Sequence, residues 1–259
     1  MTFRRYGICL VAGAMFLASC ASTNKLEKKR IDCTDRVAKA LALYKNKKYS
    51  SVLVRLEDAR TQCNGSPIMD TVLFYLGMAN VKTKKYVEAR TEFQRLAQDF
   101  PGSPFFDEAK FRIGYSVFMQ SSPYNRDQQE TREAIRLFDD YIETYPQSPF
   151  VDSAGYYRTE AYEKLATKEF KNAQFYEKVN EPDAAIVYYR TFIGQYPDSK
   201  LVDQARYNAI ELLVKLDRDT EAGELLEELL LKGKNKNLKK QAKQLLAGGK
   251  RDGAASENK

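Results

Sequence analysis

Through most of the chain, stretches of helical length carry apolar residues three and four apart, and short breaks rich in proline, serine and aspartate separate them. In the best-formed pair, Leu73, Leu76 and Gly77 fall on one stretch and Ala89 and Phe93 on the next, with Pro101 closing it. The pattern predicts two amphipathic helices folded into a hairpin. Gly77 and Ala89 would allow close helix approach, and Phe93 would fill the space between hairpins. One break recurs three times, beginning at Phe100-Pro101-Gly102-Ser103, at Tyr145-Pro146-Gln147-Ser148 and at Tyr196-Pro197-Asp198-Ser199. Its shared form is aromatic-Pro-x-Ser-x-apolar-apolar-Asp-x-Ala. The proline forbids continuation of one helix, and Ser and Asp are read as satisfying the free N–H groups of the next. A hinge that recurs in this way marks an array of stacked helical hairpins.

The spacing of Leu73, Leu76, Gly77, Ala89, Phe93 and Pro101 resembles a tetratricopeptide repeat. Looser copies place Gly114, Ala134 and Phe138 before Pro146; Ala173, Tyr176, Ala185 and Tyr189 before Pro197; Ala209, Leu213, Ala222, Leu226 and Leu229 after it; and Ala40, Leu43, Val52, Leu56 and Ala59 at the start. The expected fold is all-α, a right-handed α-solenoid of about five tetratricopeptide-like helical hairpins. Ser121 to Asp127 is an insertion at an inter-helix turn. An apolar stripe from Ala154 through Tyr157, Ala161, Leu165, Phe170 and Ala173 to Tyr176 predicts extra helix joining the third and fourth units. The resulting division is units 1–3 in 33–150, units 4–5 in 151–247, and a polar, unfolded tail in 248–259.

The first twenty residues read differently. Arg4 and Arg5 precede an apolar run from Gly7 to Leu17, too short to span a bilayer comfortably, and Leu17-Ala18-Ser19-Cys20 follows. This resembles a bacterial lipoprotein signal: residues 1–19 would be removed and Cys20 would carry the lipid, followed by a flexible tether in 20–32. Ala21 after the cysteine, in place of an aspartate, points by the same resemblance to the periplasmic face of the outer membrane. Cys9 leaves with the signal, so Cys33 and Cys63 remain at the open end of one hairpin. An oxidising periplasm would join them as a disulfide, with two free buried thiols as the alternative.

Composition narrows the function. Lys and Arg number 42 against 35 Asp and Glu, a net charge of +7, interspersed along the helices. The balance fits a solvated surface better than a nucleic-acid footprint. There is no histidine, which excludes Ser-His or Cys-His catalysis and His-bearing metal sites. No phosphate-cradling loop or Cys-x-x-Cys pair occurs, so no catalytic residue, metal site or cofactor is assigned. Of the 17 tyrosines, Tyr86, Tyr115, Tyr124 and Tyr162 are not required by the repeat core. The first three are candidates for a groove that takes an extended peptide carrying aromatic residues and a carboxylate, with packing between repeats as the alternative.

The lipoprotein-like start, the tether, the five units, the Tyr-Pro-x-Ser hinge and the long helix with Leu165-Ala166-x-Lys168-Glu169 and Ala173-x-Phe175-Tyr176 together resemble the BamD (ComL) family of outer-membrane assembly lipoproteins. The Cys33/Cys63 pair, the loop around Pro123 and Glu181-Pro182 depart from that family. The resemblance implies a non-enzymatic scaffold, lipid-anchored at the periplasmic face of the outer membrane. Its partners would be the periplasmic domains of a BamA-like insertase, other lipoproteins of the assembly complex, and unfolded β-barrel precursors. By position, units 1–3 would hold precursor and units 4–5 the insertase. The alternative is another periplasmic repeat adaptor, such as a Tol-Pal or cell-wall coordination factor.

Overall fold

The computed structural model describes residues 32–256, with side chains through residue 248. The expected signal peptide, Cys20 and the tether as far as residue 31 lie outside the described residues, as does the end of the tail. Among the described residues there are eleven helices and no strand. They are α1 (32–45), α2 (Tyr49–Gln62), α3 (Met69–Lys82), α4 (Tyr86–Asp99), α5 (Phe106–Gln120), α6 (Gln129–Thr144), α7 (Val151–Lys178), α8 (Pro182–Gln195), α9 (Val202–Lys215), α10 (Asp219–Lys232) and α11 (Lys236–Ser256). The fold is all-α, an α-solenoid type built from five hairpins, α1/α2 to α9/α10. The final helix, α11, packs on α9 and α10 and runs beyond Gly248.

The chain divides into two compact units. One comprises the residues through Gln120 with Leu137–Ala154, and the other Ser121–Arg136 with the residues from Gly155 onward. In the first unit, α3 packs on α2 and α4, and α4 on α5, around Leu56, Leu73, Leu76, Phe93 and Leu96. In the second, α9 packs on α8, α10 and α11 around Phe170, Tyr189, Phe192, Ile210, Leu213 and Leu229.

In the second and third hairpins the approach of the two helices is set by glycines read from the sequence, Gly77 and Gly114. The Phe93 ring lies directly over Gly77, where an added Cβ would come within 2.6 Å of Cε1. Phe93 therefore fills space inside its own hairpin, in addition to meeting Phe74 at 6.1 Å between ring centres. Four of the five inter-helix turns share one device: Lys47, Lys84, Asn180 and Asp217 adopt positive φ, and the next residue's N–H returns to a carbonyl five residues back, as in Lys85 to Asn80 at 2.8 Å. The third hairpin lacks it. There the side-chain amide of Gln128, buried, donates among the carbonyls of Ser122, Pro123, Arg126 and Asp127 at 2.8–3.5 Å and closes the inserted loop. Glu181-Pro182 places proline in the first turn of α8, where its missing N–H costs nothing.

The hinge serines accept an N–H at the start of the next helix, as the pattern suggested, but Asp107 and Asp203 hold the hinge that follows instead of capping their own helices. Each serine accepts the N–H two residues on, Phe105 to Ser103 at 3.1 Å, Phe150 to Ser148 at 3.1 Å and Leu201 to Ser199 at 3.2 Å. The same hydroxyl then donates to a carboxylate near the start of the preceding hairpin: Ser103 to Asp70 at 2.7 Å, Ser148 to Asp107 at 2.8 Å, Ser199 to Glu163 at 2.8 Å. Asp70 and Asp107 thus reach forward to clasp the next hinge. Asp203 repeats this without a serine, accepting the backbone N–H groups of Lys234 at 2.6 Å and Asn235 at 2.8 Å. Gly233 lies so close that a Cβ would meet Asp203 Oδ1 at 3.0 Å.

The first hairpin breaks the rule. Cys63 to Asp70 has the same backbone bonds as the later hinges, Ser66 N to Cys63 O at 2.9 Å and Met69 N to Ser66 O at 3.1 Å. Ser66-Pro67-Ile68-Met69-Asp70 is therefore a further copy of the hinge phrase, without its aromatic. The residue that corresponds to Asp70 one unit earlier is Cys33, and a disulfide joins it to Cys63 with 5.7 Å between Cα atoms. No carboxylate is there to meet Ser66, and its hydroxyl is buried without a hydrogen-bond partner.

Candidate functional site: the aromatic face of the first unit

The clasps fix the register of successive hairpins, so residues at equal distance from them are brought onto one face. Tyr75 and Arg112 each lie five residues after a clasp aspartate, Asp70 and Asp107. Helical side chains at equivalent positions of stacked units point the same way, and these two meet a row of rings. Tyr44 of α1 contacts Tyr49 and Tyr75 edge-on at 5.3 and 5.2 Å. Phe105, leading into α5, stacks on Phe74 at 4.4 Å and meets Tyr75 at 6.1 Å. Phe111 stacks on Phe150 at 5.4 Å.

Arg112 supplies the charge on this face. Its guanidinium carbon lies 5.4 Å from the Phe111 ring centre and 5.7 Å from that of Tyr115, within cation–π range. Nε and Nη2 both donate to Glu108 Oε1, at 3.0 and 2.8 Å. Burial raises the Tyr44 phenol above its ordinary pKa; neighbouring Tyr49 adds to this, Arg112 opposes it and Glu108 contributes weakly. The α1 tyrosine thus shares its surroundings with the α5 ion pair. Tyr44, Tyr75, Phe105, Arg112 and Tyr115 are half-buried, each with an edge open to solvent.

Of the three tyrosines read from the sequence, Tyr86 and Tyr115 are neighbours in this unit. Burial, with Tyr86 second, raises the Tyr115 phenol, and Gln120 Nε2 donates to the Tyr86 carbonyl at 3.3 Å. Tyr124 is exposed in the inserted loop and belongs to the second unit. Sequence reasoning missed Tyr44, Tyr75, Phe105 and Arg112. Two of these were accessible through the shared five-residue offset from the hinge aspartate.

The second unit carries an exposed apolar face of its own. Phe175 and Val179 near the end of α7 are 58% and 48% exposed, and Tyr176 stacks on Tyr188 of α8 at 4.5 Å. Nearby in the same unit, Tyr189 is buried and its hydroxyl donates to Glu177 at 2.7 Å while accepting from Asn208 at 2.8 Å. Burial, followed by the effects of those two neighbours, leaves its pKa raised. Among the described residues no group of His, Cys, Asp or Glu is placed to hold a metal ion, and no helix is long and apolar enough to cross a membrane.

Comparison with known proteins gives the chain a family. The "Outer membrane protein assembly factor BamD" of Pasteurella multocida is 27% identical over 181 residues, 65% of this chain and 67% of that protein. Its namesake from Caulobacter vibrioides is 25% identical over 146 residues, 56% of this chain, and the chain spans about half of that relative's length, 48%. Among solved structures, a thermophilic TPR protein of Thermus thermophilus superposes with a TM-score of 0.36 at 15% identity, covering 83% of this chain and 99% of that one. MamA of AMB-1 superposes with a TM-score of 0.34 at 16% identity, covering 80% and 96%. The YfiO model, described as outer membrane lipoprotein, matches residues 34–224, and the chain belongs to that family.

Proposed function

We propose that the protein is a lipid-anchored scaffold of the β-barrel assembly machinery at the periplasmic face of the outer membrane, holding unfolded outer-membrane protein precursors and a BamA-like insertase together. The observation that carries this reading is the family match across residues 34–224, together with the shared name of the two relatives. The aromatic face of the first unit supports it as a place for an extended, aromatic-rich segment, because rings with one open edge give contact area at low entropic cost. The exposed Phe175, Val179 and Tyr188 surface of the second unit supports insertase docking there. The role requires no catalysis. Lipid on Cys20 confines the scaffold to the membrane surface, so weak binding to precursor gains from high local concentration.

The test is to tag the carboxy terminus, solubilise membranes gently and identify what co-purifies. Stoichiometric recovery of a large β-barrel protein with periplasmic repeats is expected. Recovery of Tol-type or peptidoglycan-linked proteins with no barrel would replace the assembly role with that of a cell-wall adaptor. Full complementation by a secreted form lacking Cys20 would remove the anchoring mechanism.

A further inference from the structure

We propose that the lysine face formed by α11 and the end of α10 rests on the phosphate headgroups of an anionic phospholipid bilayer, giving the second unit a membrane contact of its own. The contact uses none of the residues assigned above to precursor or insertase binding.

Charge is the starting point. The chain carries a net charge of +7, and elsewhere its acids and bases are interspersed. From Leu229 to Gly248 there are six lysines, Lys232, Lys234, Lys236, Lys239, Lys240 and Lys243, and no Asp or Glu. Helical spacing then sorts the side chains of α11. Leu238, Ala242 and Leu246 recur every fourth residue and are buried, and α11 packs on α9 and α10. Lys236, Lys240 and Lys243 fall four and three residues apart on another face, and all are exposed. The backbone that carries them is held at its start. Asp203 accepts the N–H groups of Lys234 and Asn235, and the Asn235 side-chain oxygen accepts those of Asn237 and Leu238 at 3.0 and 3.2 Å. Two of the lysines are engaged within the protein, Lys232 with Glu228 at 3.2 Å and Lys239 with the Leu230 carbonyl at 2.8 Å. The ammonium groups of Lys234, Lys236, Lys240 and Lys243 take part in none of the described contacts.

The neighbouring residues favour a membrane surface over a protein partner. Protein interfaces are built around aromatic and arginine anchors and are poor in lysine. Residues 229–248 contain no aromatic residue and no arginine. Lysine is a compact charge on a flexible stem, suited to a mobile layer of phosphates and not to a planar, two-bonded site. Leu231, in the last turn of α10, is 83% exposed beside Lys232. A leucine so placed can enter the acyl boundary while the ammonium groups stay among the headgroups. Lipid on Cys20 would fix where the chain is held; the lysine face would fix which side of the second unit lies against the bilayer.

The experiment uses the secreted form lacking Cys20, so that no lipid on the protein takes part, and vesicles of phosphatidylcholine alone or mixed with phosphatidylglycerol. Binding to the mixed vesicles is expected to exceed binding to the neutral ones at least about tenfold, and high salt should abolish the difference. Lys236→Gln, Lys240→Gln and Lys243→Gln together should weaken binding to the mixed vesicles about a hundredfold, each lysine at an anionic surface being worth about fivefold. Arginine at the same three positions should preserve it. Leu231→Ser should weaken it about threefold. Lys45→Gln, Lys48→Gln and Lys110→Gln remove the same charge from exposed positions of the first unit and should change binding by less than about twofold. Circular dichroism and melting equal to those of the unaltered protein certify that each variant is folded. Equal binding to neutral and mixed vesicles, or binding that survives the glutamine substitutions in α11, overturns the proposal. So does an equal loss from the first-unit substitutions, which would make overall charge the cause. If neither kind of vesicle binds the protein, the membrane contact is wrong; binding of polyglutamate through the same three lysines would then assign the face to an acidic protein segment.

Discussion

The first hinge and the later ones solve the same mechanical problem with different bonds. Asp70, Asp107, Glu163 and Asp203 each reach across one hairpin to hold the next hinge by hydrogen bonds. At the first hairpin a covalent bond between Cys33 and Cys63 takes that place, and Ser66 is left without its partner. The difference follows from position. A hairpin at the end of the described array lacks a neighbour on one side, so less apolar surface is buried to hold it closed. A cross-link restricts the unfolded chain and stabilises the hairpin without needing more interface.

Breaking the covalent version should have the largest effect. Cys33→Ala with Cys63→Ala, or reduction of the native protein, is expected to lower the stability of the first hairpin by about 3 kcal/mol, read as faster amide exchange in 32–62 with the second unit unchanged. Equal protection in the oxidised and reduced protein would mean that packing alone closes this hairpin. The strongest of the hydrogen-bonded clasps comes next. Asp107 accepts both the Tyr141 and Ser148 hydroxyls, so Asp107→Ala strands two partly buried groups and should cost about 2 kcal/mol in denaturant unfolding. Asp70→Ala removes the single cross-hairpin acceptor of Ser103 and should cost about 1 kcal/mol by the same measure.

A sharper test sets two carboxylates of α7 against each other. Asp152 occupies the hinge-phrase position, is exposed, and takes part in none of the described contacts. Glu163 accepts both the Ser199 hydroxyl and the Lys200 N–H. Glu163→Ala should cost about 1–2 kcal/mol, whereas Asp152→Ala should change stability by under about 0.5 kcal/mol; a reversed order would refute the clasp's transfer along the helix. The remaining effect is a gain. Cys33→Asp combined with Cys63→Ala places a carboxylate where the later units have one, within reach of Ser66, and should recover about 1 kcal/mol relative to the double alanine variant.

Much of the fold was legible because helical periodicity and proline breaks act locally. Leu73, Gly77, Ala89 and Phe93 identified a hairpin from spacing alone, but the spacing put Phe93 between hairpins, whereas its ring lies over Gly77 inside its own. The first copy of the hinge phrase escaped notice because it lacks the aromatic and the proline ahead of Gly65, although Ser66 and Asp70 keep their interval. The aromatic face was legible in part. Tyr115 and Tyr86 stood out as tyrosines outside the repeat core, but Tyr44, Phe105 and Arg112 acquire meaning only beside one another.

The sequence by itself determined the all-α class, the number of hairpins and the helix breaks at the proline hinges, since these depend on side-chain period and on residues that cannot continue a helix. Tertiary structure decided which carboxylate meets which hinge. Asp152 carries the right residue in the right phrase, yet α7 continues for 28 residues, and the hairpin that meets Ser199 begins about three turns further on, at Glu163. A pattern of neighbouring residues cannot encode that choice, because a hydrogen bond between groups 36 positions apart depends on the length and packing of everything between them.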